Sequence, residues 1–141
     1  MTELNVINID KSDRQIIKEL KESGFLSLED SSNIEIFLLA FSIGYRDKTQ
    51  IPLESKESYV RYEYLSEADK AIIFSCAIEH FQTTDVLNDK SKIMDYVQEA
   101  AHYGFMVLDN YKSHGSFEEI QRNIIEELYN KYDLLSSKFQ E

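Results

Sequence analysis

The chain has 141 residues, of which 26 are acidic and 15 basic, for a formal net charge of -11. That balance repels phosphate backbones and disfavours direct nucleic-acid binding, whereas it suits a basic protein partner. The hydrophobic share of 43% is enough for one core, and four glycines with one proline allow few turns, which excludes a many-stranded β fold.

A single mainly α domain over residues 1–141 is therefore predicted, about five helices packed around a buried central one. Cys76 is alone, so no internal disulfide forms. No basic segment followed by an apolar stretch stands at the start, and no apolar run approaches the roughly 20 residues of a membrane span. The expected location is the cytoplasm, away from membranes.

Residues 1–9 alternate weakly through Leu4, Val6, Ile7 and Ile9 and read as an extended or flexible arm. Ser12-Asp13-Arg14-Gln15 has the pattern of a capping box, followed by the stripe Ile16, Ile17 and Leu20 and a stop at Gly24. Phe25, Leu26 and Leu28 are apolar enough to cover the core. Ser32-x-x-Glu35 opens the next helix, apolar on nearly every side from Ile34 to Ile43, which is the candidate central helix. Gly44 is its predicted end.

Residues 45–58 are polar and hold Pro52. The stretch Ser58–Leu65 is aromatic and β-branched, and predicts a short strand or hairpin near 49–65. Its partner is residues 3–9, residues 49–54 or a second copy of the chain. Ser66-x-x-Asp69 begins a helix over about 67–82, with Ala68, Ala71, Ile72, Phe74, Ala77, Ile78 and Phe81 facing inward. Thr83-Thr84-Asp85 breaks it, and Val86 with Leu87 inserts into the core. A helix over about 89–112 turns Ile93, Met94, Val97, Ala100, Ala101, Phe105 and Leu108 inward. Gly104 lies within it, where it serves close packing or a kink. Ser116-x-x-Glu119 caps a last helix, about 117–137, with a stripe through Phe117, Ile120, Ile124, Leu128, Tyr132 and Leu135.

Few residues point to chemistry. Glu99-Ala100-Ala101-His102 has the Glu-x-x-His spacing of di-metal helical bundles, but the second such pair is missing. Glu54-Ser55-Lys56 with Asp47 resembles part of a metal-dependent nuclease site, without the sheet that site needs. His80 and His114 suit helix C-termini, and Cys76 reads as a small buried hydrophobe. No catalytic residue, metal ligand or cofactor is assigned. The candidate interaction surface is Tyr45, Arg46, Lys48, Tyr59, Arg61, Tyr62 and Tyr64.

Several landmarks occur in a recognisable order. Leu39-Ala40-Phe41-Ser42-Ile43-Gly44-Tyr45-Arg46 is followed by Ile51-Pro52-Leu53, the aromatic stretch around Tyr62, and Ala100-Ala101-His102-Tyr103-Gly104-Phe105. Together, over about residues 25–112, they resemble the DNA phosphorothioation-associated protein 4 family (Dnd system-associated protein 4). Its members are encoded near bacterial genes for DNA sulfur modification and linked restriction. The resemblance implies an antiviral defence setting and transfers no catalytic residue. The leading expectation is a non-catalytic accessory component that binds another protein, and a homodimer is also compatible. The alternative is a DNA-binding regulator or sensor using Arg46, Lys48, Lys56 and Arg61 in the loop 46–61. A third reading is a metal-dependent enzyme built on Glu99 and His102.

Overall fold

The computed structural model describes residues 6–24, 28, 30–113, 122, 125–131 and 133. In chain order come β1 (Val6–Asp10), α1 (Asp13–Ser23), α2 (Asn33–Asp47), β2 (Lys56–Arg61) and a 3-10 turn at Tyr62–Tyr64. Then follow α3 (Glu67–Phe81), a second 3-10 turn at Thr84–Asn88, and α4 (Lys90–Ser113). Residues 125–131 are helical too. The result is a mainly α domain with one small antiparallel sheet. Among the described residues no helix is long and apolar enough to cross a membrane.

The helix at the centre is α4. It packs against α1, α2, α3, β1 and the turn at Thr84–Asn88. All seven positions predicted to face inward, from Ile93 to Leu108, are buried. The apolar helix α2 is its main partner and is not itself enclosed. Ile36, Phe37, Ala40, Phe41 and Ile43 are buried, Leu38 and Leu39 are half-buried, and Ser42 is exposed.

Gly44 does not end α2, contrary to the capping expectation. The helix continues to Asp47 and closes on Lys48, which takes the left-handed conformation at φ 54°. Gly44 instead serves the contact with α4. A Cβ there would lie 2.2 Å from the Ala100 carbonyl oxygen. Reciprocally, a Cβ at Gly104 would lie 1.9 Å from the Ala40 carbonyl oxygen. Position 44 thus meets 100 while 40 meets 104, so the helices run antiparallel and touch backbone to backbone. Small residues four apart on both partners make this approach sterically open.

Two of the predicted capping boxes are present. Ser32 Oγ accepts from Glu35 N at 3.2 Å while Glu35 returns a bond to Ser32 N. Ser66 and Asp69 do the same for α3. Gly24 closes α1 at φ 74° as predicted. The box at Ser12 does not form, because a stronger acceptor lies two residues upstream. Asp10 Oδ2 takes both Ser12 N and Ser12 Oγ, at 3.0 and 2.6 Å, leaving Ser12 in a helical conformation with no side-chain cap. The expected cap at Ser116 falls outside the described residues.

The strand candidate finds its partner within the chain. β1 pairs antiparallel with β2, so the supposed N-terminal arm is a strand from Val6 onward. The strand spans Lys56–Arg61, and Tyr62–Tyr64 leaves it as a 3-10 turn. Ile7 pairs with Val60 and Asn8 with Ser58, so Tyr59 is an extra residue on β2, a bulge. Helix α3 turns only part of its predicted face inward: Ala77 is buried and Phe74, Ile78 and Phe81 are half-buried against the core, as expected. Ile73 and Ala77 are buried, whereas Ala68, Ala71 and Ile72 are exposed, Ile72 by 52%. Apolar residues surround α3, so periodicity alone does not select its inner face. In the turn before α4, Val86 is buried as predicted and Leu87 is not.

Candidate functional site

Six of the seven residues of the candidate surface divide between two depressions, and Tyr62 lies in one adjoining the first. The first is an apolar groove of about 400 Å³ between β2 and the start of α2. Ser58, Tyr59, Val60, Arg61 and Tyr64 line it from the sheet side together with Val6 of β1, the partner of Arg61, and Ser32, Asn33 and Ile34 line it from α2 and its cap. The bulge sets Tyr59 against α2, where its hydroxyl donates to Asn33 Oδ1 at 3.2 Å. Burial pushes the Tyr59 phenol up to about 12, and the Arg14 guanidinium lies 5.9 Å from its ring centre. Tyr64 is 66% exposed at the groove rim. Tyr62 lies beside it in an adjoining depression with Val6, Arg61 and Glu63. The Lys70 and Lys90 ammonium groups sit 5.1 and 5.2 Å from the Tyr62 ring centre, a cation–π pairing that ties this turn to α3 and α4.

The second depression is a polar cleft of about 320 Å³ where the C-terminal ends of α2 and α3 converge on α4. Tyr45, Arg46 and Lys48 come from α2 and its cap, Glu79, His80 and Gln82 from α3 and its cap, and Tyr96 from α4. Both helices close on a left-handed residue, Lys48 and Gln82. The Tyr45 hydroxyl donates to Glu79 Oε2, and that bond raises the phenol to about 12. His80 stacks on Tyr96 with ring centres 4.0 Å apart. Burial holds the His80 imidazole below its ordinary range. Arg46 is tied to Asp47 at 2.8 Å, and Tyr103 donates to the same carboxylate. These bonds hold Asp47 below the usual carboxylate range.

A third constellation is buried. Asp13 is fully enclosed, and its Oδ2 shares a 2.8 Å hydrogen bond with His102 Nδ1, joining α1 to α4. Asp13 Oδ1 has no partner among the described residues. Burial raises the Asp13 carboxyl to about 6, outweighing the attraction of His102, and nearby Asp10 adds to the rise. Asp10 behaves in the opposite way. Burial alone would raise it, but it accepts from Ser12 Oγ and from the backbone of Ser12, Glu54 and Ser55, which together hold it far below the usual range. Those bonds fasten the loop before β2 to the turn after β1.

The residues singled out for metal chemistry do not converge. His102 faces Asp13, whereas Glu99 Oε1 accepts from Gln50 Nε2 at 2.8 Å. The backbone N–H of Glu54 is engaged by Asp10, and Asp47 belongs to the far end of α2. Among the described residues no group of three or more His, Cys, Asp or Glu is placed to hold a metal ion. Cys76 is half-buried and its thiol is raised by burial, which disfavours the reactive thiolate.

The four cations of the loop reading lie apart. Arg46 and Lys48 line the polar cleft, Arg61 lines the groove, and Lys56 lines a further depression with Asp95 and Gln98. Arg46 and Arg61 are also paired with Asp47 and Glu63. Two of the four cations are thus already offset by a neighbouring carboxylate.

Sequence reasoning missed Glu79, His80, Gln82 and Tyr96 in the cleft, Asn33 and Ile34 in the groove, and the Asp13–His102 pair. The pair spans 89 positions, so no local pattern announces it. Tyr96 lies one turn before Ala100, on the inward side of α4, and was open to detection by periodicity. No family model, curated protein or solved structure matches the chain.

Proposed function

We propose that this chain is a non-catalytic interaction module, an accessory component of a bacterial DNA phosphorothioation-linked restriction system working in the cytoplasm. It meets its protein partner through the groove beside β2. The observation that carries this reading is the groove itself: about 400 Å³, apolar, rimmed by the exposed ring of Tyr64 and bordered by a strand with one strand neighbour among the described residues. Tyrosines that pack a ring and keep a hydroxyl wet suit protein interfaces. The net charge of -11 favours a basic surface on the partner.

The defence setting is supported by the motif order around residues 39–46, 51–53, 62 and 100–105. Two of those motifs carry Ala40, Gly44, Ala100 and Gly104, the helix crossing. The likeness is thus one of scaffold, and the groove is the surface which that scaffold displays. The test is co-expression with the neighbouring modification and restriction gene products, followed by purification of the native chain and of Tyr64→Asp. A complex that forms with the native chain and fails with the variant is expected. Recovery of no defence protein under gentle conditions counts against the reading. Light scattering separates it from pairing of two β2 edges in a homodimer.

A further inference from the structure

The polar cleft at the ends of α2 and α3 has features that the groove does not need. Tyr96 is 4% exposed and its ring is enclosed by Phe41, Phe81 and His80. Its hydroxyl nevertheless has no hydrogen-bond partner among the described residues, and it is not sealed from solvent as Asp13 Oδ1 is. Tyr96 lines the cleft, so the part of it that reaches the cleft is the hydroxyl end. A buried aromatic held rigidly, with its one polar atom unused and facing a cavity, is a group prepared for a ligand.

The surroundings decide the ligand's charge. Glu79 uses Oε2 for the Tyr45 hydroxyl, and no partner is present for Oε1 among the described residues. Two helix C-termini converge here and favour positive charge, although the Gly44, Tyr45, Ile78 and Glu79 carbonyls already accept from N–H groups of Lys48, Thr49 and Gln82. Tyr45 also lines the cleft, and an aromatic ring attracts a cation through its quadrupole. His80, held below its ordinary range, is uncharged at neutral pH and does not repel one. The Arg46 guanidinium is neutralised by Asp47. Lys48 is the opposing charge: it lines the cleft without an ion-pair partner among the described residues.

We propose that this cleft binds one organic cation, a guanidinium or primary ammonium group, between the Glu79 carboxylate and the Tyr96 hydroxyl. The group comes either from a free small amine or from a basic side chain of a protein. A volume of about 320 Å³ fits such a head group with a short stem.

The test is an NMR titration of the full chain with agmatine, spermidine and the blocked peptide acetyl-Gly-Arg-Gly-amide. At least one probe is expected to shift resonances of Tyr45, Glu79 and Tyr96 with a Kd below about 10 mM. Agmatine or spermidine binding as tightly as the peptide identifies a free amine, and preference for the peptide identifies a protein side chain. Glu79→Gln is expected to weaken binding about tenfold and Tyr96→Phe about threefold, whereas Lys48→Gln tightens it about threefold, in keeping with close charge pairs. All three positions have isosteric or exposed replacements, and an unchanged spectrum away from the cleft verifies the fold. No shift with any probe, an unchanged affinity in Glu79→Gln, or weaker binding in Lys48→Gln overturns the proposal.

Discussion

Replacing Gly104 by Ala tests the helix crossing on which the rest of the fold rests. In most helix interiors that change stabilises by about 1 kcal/mol, because Ala is the better helix former. Here the added Cβ would sit 1.9 Å from the Ala40 carbonyl oxygen and 2.8 Å from its Cα. An ordinary contact begins near 3.4 Å, so α2 and α4 must separate by about 1.5 Å or rotate, and neither adjustment is confined to one side chain. Phe37, Phe41 and Phe105, all fully buried, lose contact together when the helices part. Overpacking of this kind costs about 1–3 kcal/mol, and more where backbone blocks the way. With backbone as the obstruction the cost is on the order of 3–5 kcal/mol, which less the helix gain of about 1 kcal/mol leaves a net destabilisation of about 2–4 kcal/mol, a large share of a domain's total. The assay is urea unfolding followed by circular dichroism. Trimming the neighbour in Ala40→Gly/Gly104→Ala is expected to give no rescue, because the obstruction is the Ala40 backbone. A Gly104→Ala variant as stable as the native chain, or more so, refutes the reasoning.

Other consequences follow from the same structure. The Asp13 carboxyl is raised from 3.8 to about 6, so its contribution to stability is fully present below 3.8 and is lost as pH rises through 6. That change is on the order of 3 kcal/mol, and Asp13→Asn is expected to remove it, so a pH–stability profile unchanged by the substitution contradicts the buried-pair account. Asp10 has the opposite sign: its carboxyl is held below the ordinary value, so its contribution is present above about 4 and lost as pH falls. Asp10→Ala leaves the N–H groups of Ser12, Glu54 and Ser55 without their acceptor, and a loss of at least about 3 kcal/mol in denaturant unfolding is expected. Leu38→Asp, on the half-buried side of α2, is expected to destabilise less than Phe41→Asp, on its buried side; equal losses in thermal melts would contradict the one-sided packing of α2.

What the sequence revealed and what it hid follow from the range of the forces involved. Caps at Ser32 and Ser66 and the inward face of α4 rest on neighbours three or four residues away, and those were legible. Gly44 was misread because a glycine near the end of an apolar run fits two physical needs, a left-handed stop and a close approach. Only the Ala100 backbone, 56 positions on, decides between them. The Ser12 box failed for a related reason: an aspartate two residues upstream captured the serine. Helix α3 was legible only in part: Phe74, Ala77, Ile78 and Phe81 pack on the core as expected, but with apolar residues on several sides the pattern favoured Ile72 over Ile73. At the candidate site, the aromatic residues were visible and their grouping was not. The charged loop looked continuous along the chain, yet Arg46 and Arg61 face different depressions in space.

The proposed interface at the groove beside β2 is best tested by co-expression with the neighbouring modification and restriction gene products, measuring how tightly any protein that co-purifies binds the native chain and Tyr64→Asp. Tyr64 is 66% exposed, so the substitution leaves the core intact, and an unchanged melting curve serves as the control. An affinity at least about tenfold weaker in the variant is expected, since buried aromatic anchors contribute upwards of 1.4 kcal/mol at interfaces. Equal affinity for the native chain and the variant, or no association of any defence protein with the native chain, would contradict the account.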